Sequence, residues 1–494
     1  MKGTGPLSGR LGPLSIELLE SFPPLKAINS FDPAYVRNIV EAVESAREYK
    51  EKYIMPNALE VDRRAGDTSG YVDWRLIRAA LPYGLLSIIV PRQLGGRGGL
   101  LVMGCLVMEE LCSGCAGLAN IFGAHMLGIA PTMLSGSLVH IDRYLYQIAQ
   151  AEKNGEPIIM GFAITEPSAG TDAEEPHFLA LGRTDSEARP TSGGYLLNGT
   201  KCFISNGSIA RYLTVYMPVE RNRRLETWTC FVVDTKREGF SVGRVEHKMG
   251  QRACPAAEIR FSNYFVPRED VVGDAGEGME PQTLVVLGAS RGPVGAIATG
   301  IARGALDTFR RWAERRSGNR RPADEETIRT AIAEMTARLS AARSLYLSAA
   351  LTLEFGGPGR LLRHPLVRGI LALPVSFRTS NPYTGLMLSR QGKNAVKFLM
   401  RSVMDGSELT RALALSSMAK SVCSDTAMFI TRRCLELLGT SDAPERPLLQ
   451  KCFRDAKLTQ IYEGTNQLNM LTAYMALYSG ELKIDLPRPG SRRI

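Results

Sequence analysis

The chain has 494 residues, enough for about three domains at roughly 150 residues each, which excludes a peptide, a disulfide miniprotein or a single small module. With 44% hydrophobic and 22% charged residues it reads as an ordinary folded protein rather than a disordered, collagenous or membrane-spanning one. Sixty basic against fifty acidic residues leave a net charge of +10 on a large surface, a mild bias toward anionic partners; nucleic acid does not follow from it and is not expected.

Residues 1–31 read as an N-terminal extension. Lys2 and Arg10 stand there with no acid before Glu17, as in a transit peptide, but the stretch lacks the apolar centre and cleavage site of a secretory signal. Nine cysteines at irregular spacings make no disulfide framework and fit a reducing compartment, so the expected location is cytoplasmic, ahead of the mitochondrial matrix.

From 32 to 156 the pattern is helical. Val36, Ile39, Val40 and Val43 recur at helix spacing after Asp32-Pro33, an N-cap followed by proline. Val90 to Gly99 holds four glycines in five residues and reads as a loop between helices; no strand precedes it, which argues against a nucleotide-binding glycine loop. Cys112 and Cys115 have redox spacing but lie in an Ala/Gly/Leu-rich helical run, so they read as packing thiols, and no metal site is expected.

Between 157 and 275 the texture turns to short β-rich runs split by Gly, Asn, Asp and Pro: 178–181, 195–197, 212–217, 229–233 and 258–261. Long helical patterns return over 276–480, at 284–314, 325–353, 409–438 and 454–478, followed by a tail at 481–494. The expected fold is α+β: an N-terminal helical domain, a middle β-barrel-like domain and a C-terminal four-helix bundle with an inserted segment. That insertion, 355–404, carries eight Lys and Arg, no Asp or Glu, and an apolar stretch from Gly369 to Phe377. It reads either as a solvated helical insertion or as a site for an anionic membrane surface or an acidic carrier protein.

Three segments carry chemistry. Ala163 to Asp172 places two threonines around a Pro/Gly turn, whose outward amides and hydroxyls suit an anionic or heteroaromatic ligand. Leu197 to Gly207 reads as an Asn-Gly turn feeding a short strand that ends in a second Asn-Gly, with Phe203 and Ser205 on one face. Near the end, Tyr462-Glu463-Gly464 sets a carboxylate between an aromatic residue and a glycine, a candidate base whose pKa apolar surroundings would raise. Each alone has a plainer reading as a turn or a solvated acid.

Together and in this order, the motifs Thr165-Glu166-Pro167-x-Ala169-Gly170-Thr171-Asp172, Asn198-Gly199-x-Lys201-x-x-Ile204-x-Asn206-Gly207 and Gln460-Ile461-Tyr462-Glu463-Gly464-Thr465 resemble the acyl-CoA dehydrogenase family over about residues 32–480. Lys248 to Arg252, Ser290-Arg291 and Arg454 to Lys457 add to the resemblance. It implies FAD-dependent α,β-dehydrogenation of an acyl thioester, most simply acyl-CoA, with Glu463 removing the α proton while the β hydride passes to flavin N5. The implied flavin contacts are Phe162, Ile164, Thr165, Thr171, Phe203, Ser205, Arg315, Thr465 and Gln467. Arg291 and Thr171 would meet the substrate, and the backbone N–H of Glu463 would meet the thioester oxygen. An electron-transfer flavoprotein as acceptor and a homodimer or homotetramer are also implied.

Three departures from the family pattern stand out. Phe203 replaces the usual tryptophan, Arg316-Ser317-Gly318-Asn319 replaces the usual Gln-Phe-Gly, and Glu436 stands where a glutamine normally reaches a neighbouring subunit's flavin nucleotide. They leave two other readings open: an oxidase-like flavoprotein on a non-CoA substrate, and a noncatalytic FAD-poor paralogue.

Overall fold

In the computed structural model, which describes residues 22–134, 136–316, 320–440 and 442–490, Asp32 caps its helix by accepting the Tyr35 N–H at 3.0 Å. The Pro33–Tyr49 helix then buries Val36, Ile39 and Val43. A short helix, Pro23–Phe31, precedes it and buries Leu25 and Ile28, so the folded unit begins before residue 32. Lys2 and Arg10 lie outside the described residues, as do Ser317 to Asn319. In the tail, residues 481–490 form neither helix nor strand but bury Leu482, Ile484 and Leu486.

The glycine-rich stretch is a loop, turned by left-handed Gly95 and Gly98. It leads into the Leu101–Leu134 helix, which is kinked at Cys115, where the backbone turns extended (φ −162°, ψ 107°), and which buries Cys112 and Cys115. This helix and the segment 282–314 are each long and apolar enough to cross a membrane, yet 83% and 89% of their most apolar windows are buried inside the protein. Both are core helices.

The middle domain is two four-stranded sheets face to face, one in the order β1 (Met160–Ala163), β4 (Tyr212–Pro218), β5 (Trp228–Asp234), β8 (Val271–Val272) and the other in the order β2 (Glu187–Pro190), β3 (Gly194–Ser205), β7 (Ala256–Pro267), β6 (Phe240–Val245). β1 (Met160–Ala163) runs parallel to β4 (Tyr212–Pro218), and the remaining pairs are antiparallel. Leu213, Val215 and Phe231 from one sheet share a core with Leu197, Ile259 and Phe261 from the other. Two local expectations fail. The run 178–181 belongs to a helix, Pro176–Leu181, because Pro176 supplies helical φ at its first position. Asn198-Gly199 is not a turn: β3 (Gly194–Ser205) runs straight through it, with a shift of register against β7 between Leu197 and Gly199. Gly199 has φ +134°, and a Cβ there would lie 2.5 Å from the Ser186 hydroxyl, so the glycine marks a close approach instead. The second pair does turn the chain, with Asn206 at φ 61°.

In the C-terminal domain the helices Val285–Glu314, Glu326–Gly356 and Gly406–Leu438 pack together. The fourth element is broken into Arg446–Thr459 and Asn466–Tyr474, and the break carries Glu463. The bundle joins the N-terminal domain along Val285–Glu314, where Arg303 meets Glu109 at 3.2 Å and Glu110 at 3.0 Å, all three buried.

The insertion folds as short helices, and its charge is largely matched from outside its own sequence. Arg363 pairs with Glu354 at 2.6 Å, Lys393 with Asp274 at 2.7 Å, and Lys397 with Asp274 and Glu277, each at 2.6 Å. Arg378 is buried against Asp142, while Arg360 and Arg401 reach Glu408 and Asp485. Arg368 and Arg390 have no carboxylate partner among the described residues. An anionic docking surface here therefore lacks most of its charge: Glu354 and Glu408, which neutralise part of it, flank the insertion, and the other acids are distant in sequence and invisible to local composition.

Gly304 measures how closely the two core helices approach, since a Cβ there would stand 2.2 Å from the Ser113 carbonyl oxygen. Gly304→Ala gains about 1 kcal/mol of helix propensity but forces backbone apart, at a cost of about 1–3 kcal/mol or more. The expected outcome is a lower thermal midpoint; an unchanged or raised midpoint contradicts this packing.

Candidate active site

The three motifs meet around one cavity of about 500 Å³. Phe162, Ile164 and Thr165 line it from β1 and the turn that follows, Phe203 and Ser205 from the end of β3, and Thr171 from the next loop. Phe203 stands at φ 57° with 61% of its surface exposed, an aromatic ring turned out of the sheet core into the cavity. The far wall is apolar, built from Leu101, Met108, Leu127, Met133 and, from the insertion, Leu362. An open aromatic face, two aliphatic and aromatic neighbours and the hydroxyls of Thr165 and Ser205 in one wall fit a flat heteroaromatic ring with polar edges, as flavin has.

A buried ion pair locks the first two motifs together. Lys201 Nζ donates to Glu166 at 2.8 Å and to the Ile164 carbonyl at 3.0 Å, and both side chains are fully buried. Glu166 also accepts the N–H groups of Asp185 at 2.7 Å and Ser186 at 3.1 Å. Burial pushes its carboxyl up, but Lys201 and these bonds hold it below the ordinary value.

Glu463 is presented by a loop held from behind. It adopts φ 55°, and Gly464 follows at 76°. Asn469 Nδ2 donates to the carbonyls of Glu463, Gly464 and Thr465, each at 3.0 Å, and Lys420 Nζ donates to the Gly464 carbonyl at 2.6 Å. Thr465 caps the following helix by accepting the Leu468 N–H at 3.2 Å. With the carbonyls turned back, the Glu463 N–H has no backbone acceptor among the described residues. Tyr462 hydroxyl is 3.2 Å from Gln251 Nε2, and the Gln251 N–H donates to Asp455 at 2.5 Å, so the motifs around 251 and 455 brace the same loop.

The carboxyl of Glu463 accepts the Ser290 hydroxyl at 2.5 Å. Burial raises its pKa, while the Ser290 bond, Arg291 and Lys420 oppose the rise. Arg291 is fully buried beneath the cavity, 3.6 Å from both Glu174 and Glu175, and donates to Ser417 at 2.9 Å. It is not part of the cavity lining, so it acts as a counter-ion to carboxyl groups rather than as the substrate contact expected of it.

Thr465 also lines the cavity; Arg315 and Gln467 do not. Arg315 is engaged in an ion pair with Glu445, and Gln467 is exposed at the start of its helix. Both were expected among the flavin contacts, and neither joins the other site residues within this one chain. Glu436, which stands where the resemblance implies a glutamine, is flanked by Arg432 at 3.3 Å and Arg433 at 3.4 Å. Sequence reasoning missed Glu174, Glu175 and Lys420. Two adjacent acids before a proline, and one lysine on an Ala/Ser-rich helix face, were the only signals available.

Lys201→Met is expected to leave Glu166 buried without its counter-ion and to cost about 3–5 kcal/mol of stability, read from denaturant unfolding. A loss below about 1 kcal/mol, the range of an exposed pair, contradicts the coupling of the two motifs through this bond.

The chain matches the acyl-CoA dehydrogenase N-terminal domain over residues 39–152, the middle domain over 161–264 and the C-terminal domain over 276–364 and 390–478. The gap in the last match falls within the insertion. Cyclohex-1-ene-1-carbonyl-CoA dehydrogenase of Syntrophus aciditrophicus is 30% identical over 88% of each chain. The structure of butyryl-CoA dehydrogenase from Megasphaera elsdenii is similar at TM-score 0.69 and 26% identity, covering 89% of this chain and 98% of that one. A chain from a structure of the electron transferring flavoprotein of Acidaminococcus fermentans is similar at TM-score 0.70 and 26% identity, with the same coverage. With all three domains matched in order, this chain belongs to the acyl-CoA dehydrogenase family and is an oxidoreductase acting on CH–CH bonds.

Proposed function

We propose that the protein catalyses FAD-dependent α,β-dehydrogenation of an acyl-CoA thioester, with Glu463 as the base that removes the α proton. The observation that carries this reading is a carboxyl with a raised pKa, presented at a left-handed backbone position into a cavity whose opposite features suit a flavin ring and an apolar acyl group.

A thioester α C–H is weakly acidic, so the proton leaves only if the carbonyl oxygen is stabilised as charge builds on it. The Glu463 N–H donates to that oxygen, and the Ser290 hydroxyl holds the carboxylate in line for the α hydrogen. Phe162, Ile164, Thr165, Phe203 and Ser205 would hold the isoalloxazine, with Thr171 and Thr465 toward its substituents; bound flavin supplies the acceptor for the β hydride. Leu101, Met108, Leu127 and Met133 exclude water around the acyl chain. Glu354 forms part of the same lining and is tied to Tyr35 at 2.5 Å and Arg363 at 2.6 Å, which favours a neutral acyl group over a second carboxylate.

Met470, Leu471, Tyr474 and Tyr478 leave an apolar stripe on the C-terminal helical segment, which supports assembly into a homodimer or homotetramer. An electron-transfer flavoprotein is the proposed acceptor.

Mixing FAD-loaded protein anaerobically with a panel of apolar acyl-CoA thioesters is expected to bleach the flavin. Glu463→Gln, which deletes the proton acceptor at nearly constant shape, is expected to retain FAD and to slow bleaching by about 10²–10⁴-fold. Reduction within threefold of wild type removes Glu463 from the mechanism.

A further inference from the structure

Glu174 is a cavity carboxyl that none of these steps uses. It ends the turn Thr171–Glu174, is 7% exposed and shares the cavity wall with Thr171 and Gly464. Its Oε2 has no hydrogen-bond partner and lies 3.6 Å from Arg291 Nη2. A Cβ on Gly464, the neighbour of Glu463, would stand 3.1 Å from that same oxygen.

Glu174 faces charged groups from three other elements and from its own neighbour in sequence. Glu463 comes from the 460–465 loop, Arg291 from the Val285–Glu314 helix, Lys420 from the Gly406–Leu438 helix, and Glu175 is adjacent in sequence. Three carboxyls therefore face one guanidinium and one lysine, and burial with the charge of Arg291 lowers that lysine to about 7. Two cations against three carboxylates leave net negative charge in a water-poor site, which favours keeping a proton on one acid. Donors decide which. Glu463 accepts the Ser290 hydroxyl and Glu175 accepts the Thr472 hydroxyl, each at 2.5 Å, and a donated bond favours the charged form. Glu175 Oε2, like Glu174 Oε2, has no partner, but no donor bonds Glu174 at either oxygen among the described residues, whereas the other two carboxyls each accept one short hydroxyl bond.

We propose that Glu174 is the acid that keeps this proton, a positioning residue whose neutral form allows Glu463 to stand as a carboxylate in the cavity. The proposal rests on the reading of Glu463 as the base. Burial first, and then the Glu463 charge, push Glu174 up to about 8 while Arg291 opposes them. The sign follows: at neutral pH the pair carries its charge on Glu463, and Glu174 ionises only when the pH rises through about 8.

Infrared titration of the FAD-loaded protein, without substrate, reads the proton directly. The difference between wild type and Glu174→Gln is expected to show a protonated-carboxyl band at neutral pH that bleaches near pH 8. When the same difference is taken in a Glu463→Gln background, the band is expected to bleach lower by about one pH unit, because the neighbouring charge is gone. Glu174→Ala must remove the same band. The pH profile of anaerobic flavin reduction is expected to lose its alkaline inflection in Glu174→Gln and keep its acid limb. Absence of the band at neutral pH, or a titration indifferent to Glu463→Gln, overturns the proposal. Because the infrared arm needs no turnover, its failure is distinct from failure of the thioester reaction.

Discussion

Carboxyl groups withdrawn from water beside leucine and methionine side chains take up protons unless a fixed cation or donor is within reach. Arg291 is that cation here. It is fully buried, its helix is packed along the length of the bundle, and Glu174 and Glu175 are brought to it from the middle domain. Glu174 and Glu175 from the middle domain and Glu463 from the C-terminal domain thus share the field of one guanidinium. Lys420 adds a second, weaker cation and fixes the Gly464 carbonyl, so electrostatics and loop geometry are set by the same few side chains.

The scaffold makes this convergence rigid. Small residues on the Val285–Glu314 helix let it lie against the Leu101–Leu134 helix, where Glu109 and Glu110 are paired with Arg303, and Glu109 also with Arg343 at 2.6 Å. The Lys201–Glu166 pair ties β3 to the turn after β1, so the residues facing the cavity from these two elements move as one piece. The insertion is bound by the same means: its lysines reach acids of the loop around 274–277, and its first helix supplies Leu362 to the apolar wall.

The domain order and the cavity-facing members of the three motifs were legible in the sequence because hydrophobic period, turn residues and motif spacing are local. What was illegible is nonlocal. Asn198-Gly199 has the composition of a hairpin turn, but its environment, Ser186 pressed against Gly199, makes it part of a strand. The 178–181 run is short and apolar like a buried strand, yet its leucines and alanine favour helix and Pro176 starts one. Arg378, Lys393, Lys397 and Arg401 of the insertion looked unmatched because Asp142, Asp274, Glu277 and Asp485 lie more than seventy residues from the cations they meet. Arg291 could be placed near the base from its motif, but not beneath the cavity, since that depends on Glu174 and Glu175 from another domain.

The claim at the centre of this account is that Glu463 takes a proton from the carbon next to a thioester. An acyl-CoA labelled with deuterium at that carbon tests it most directly, by following label in the solvent and flavin absorbance together under anaerobic conditions. The account predicts that label leaves the α carbon in step with flavin bleaching in the wild type and is retained in Glu463→Gln. Release at an undiminished rate in Glu463→Gln, or flavin bleaching with the α label retained, contradicts it.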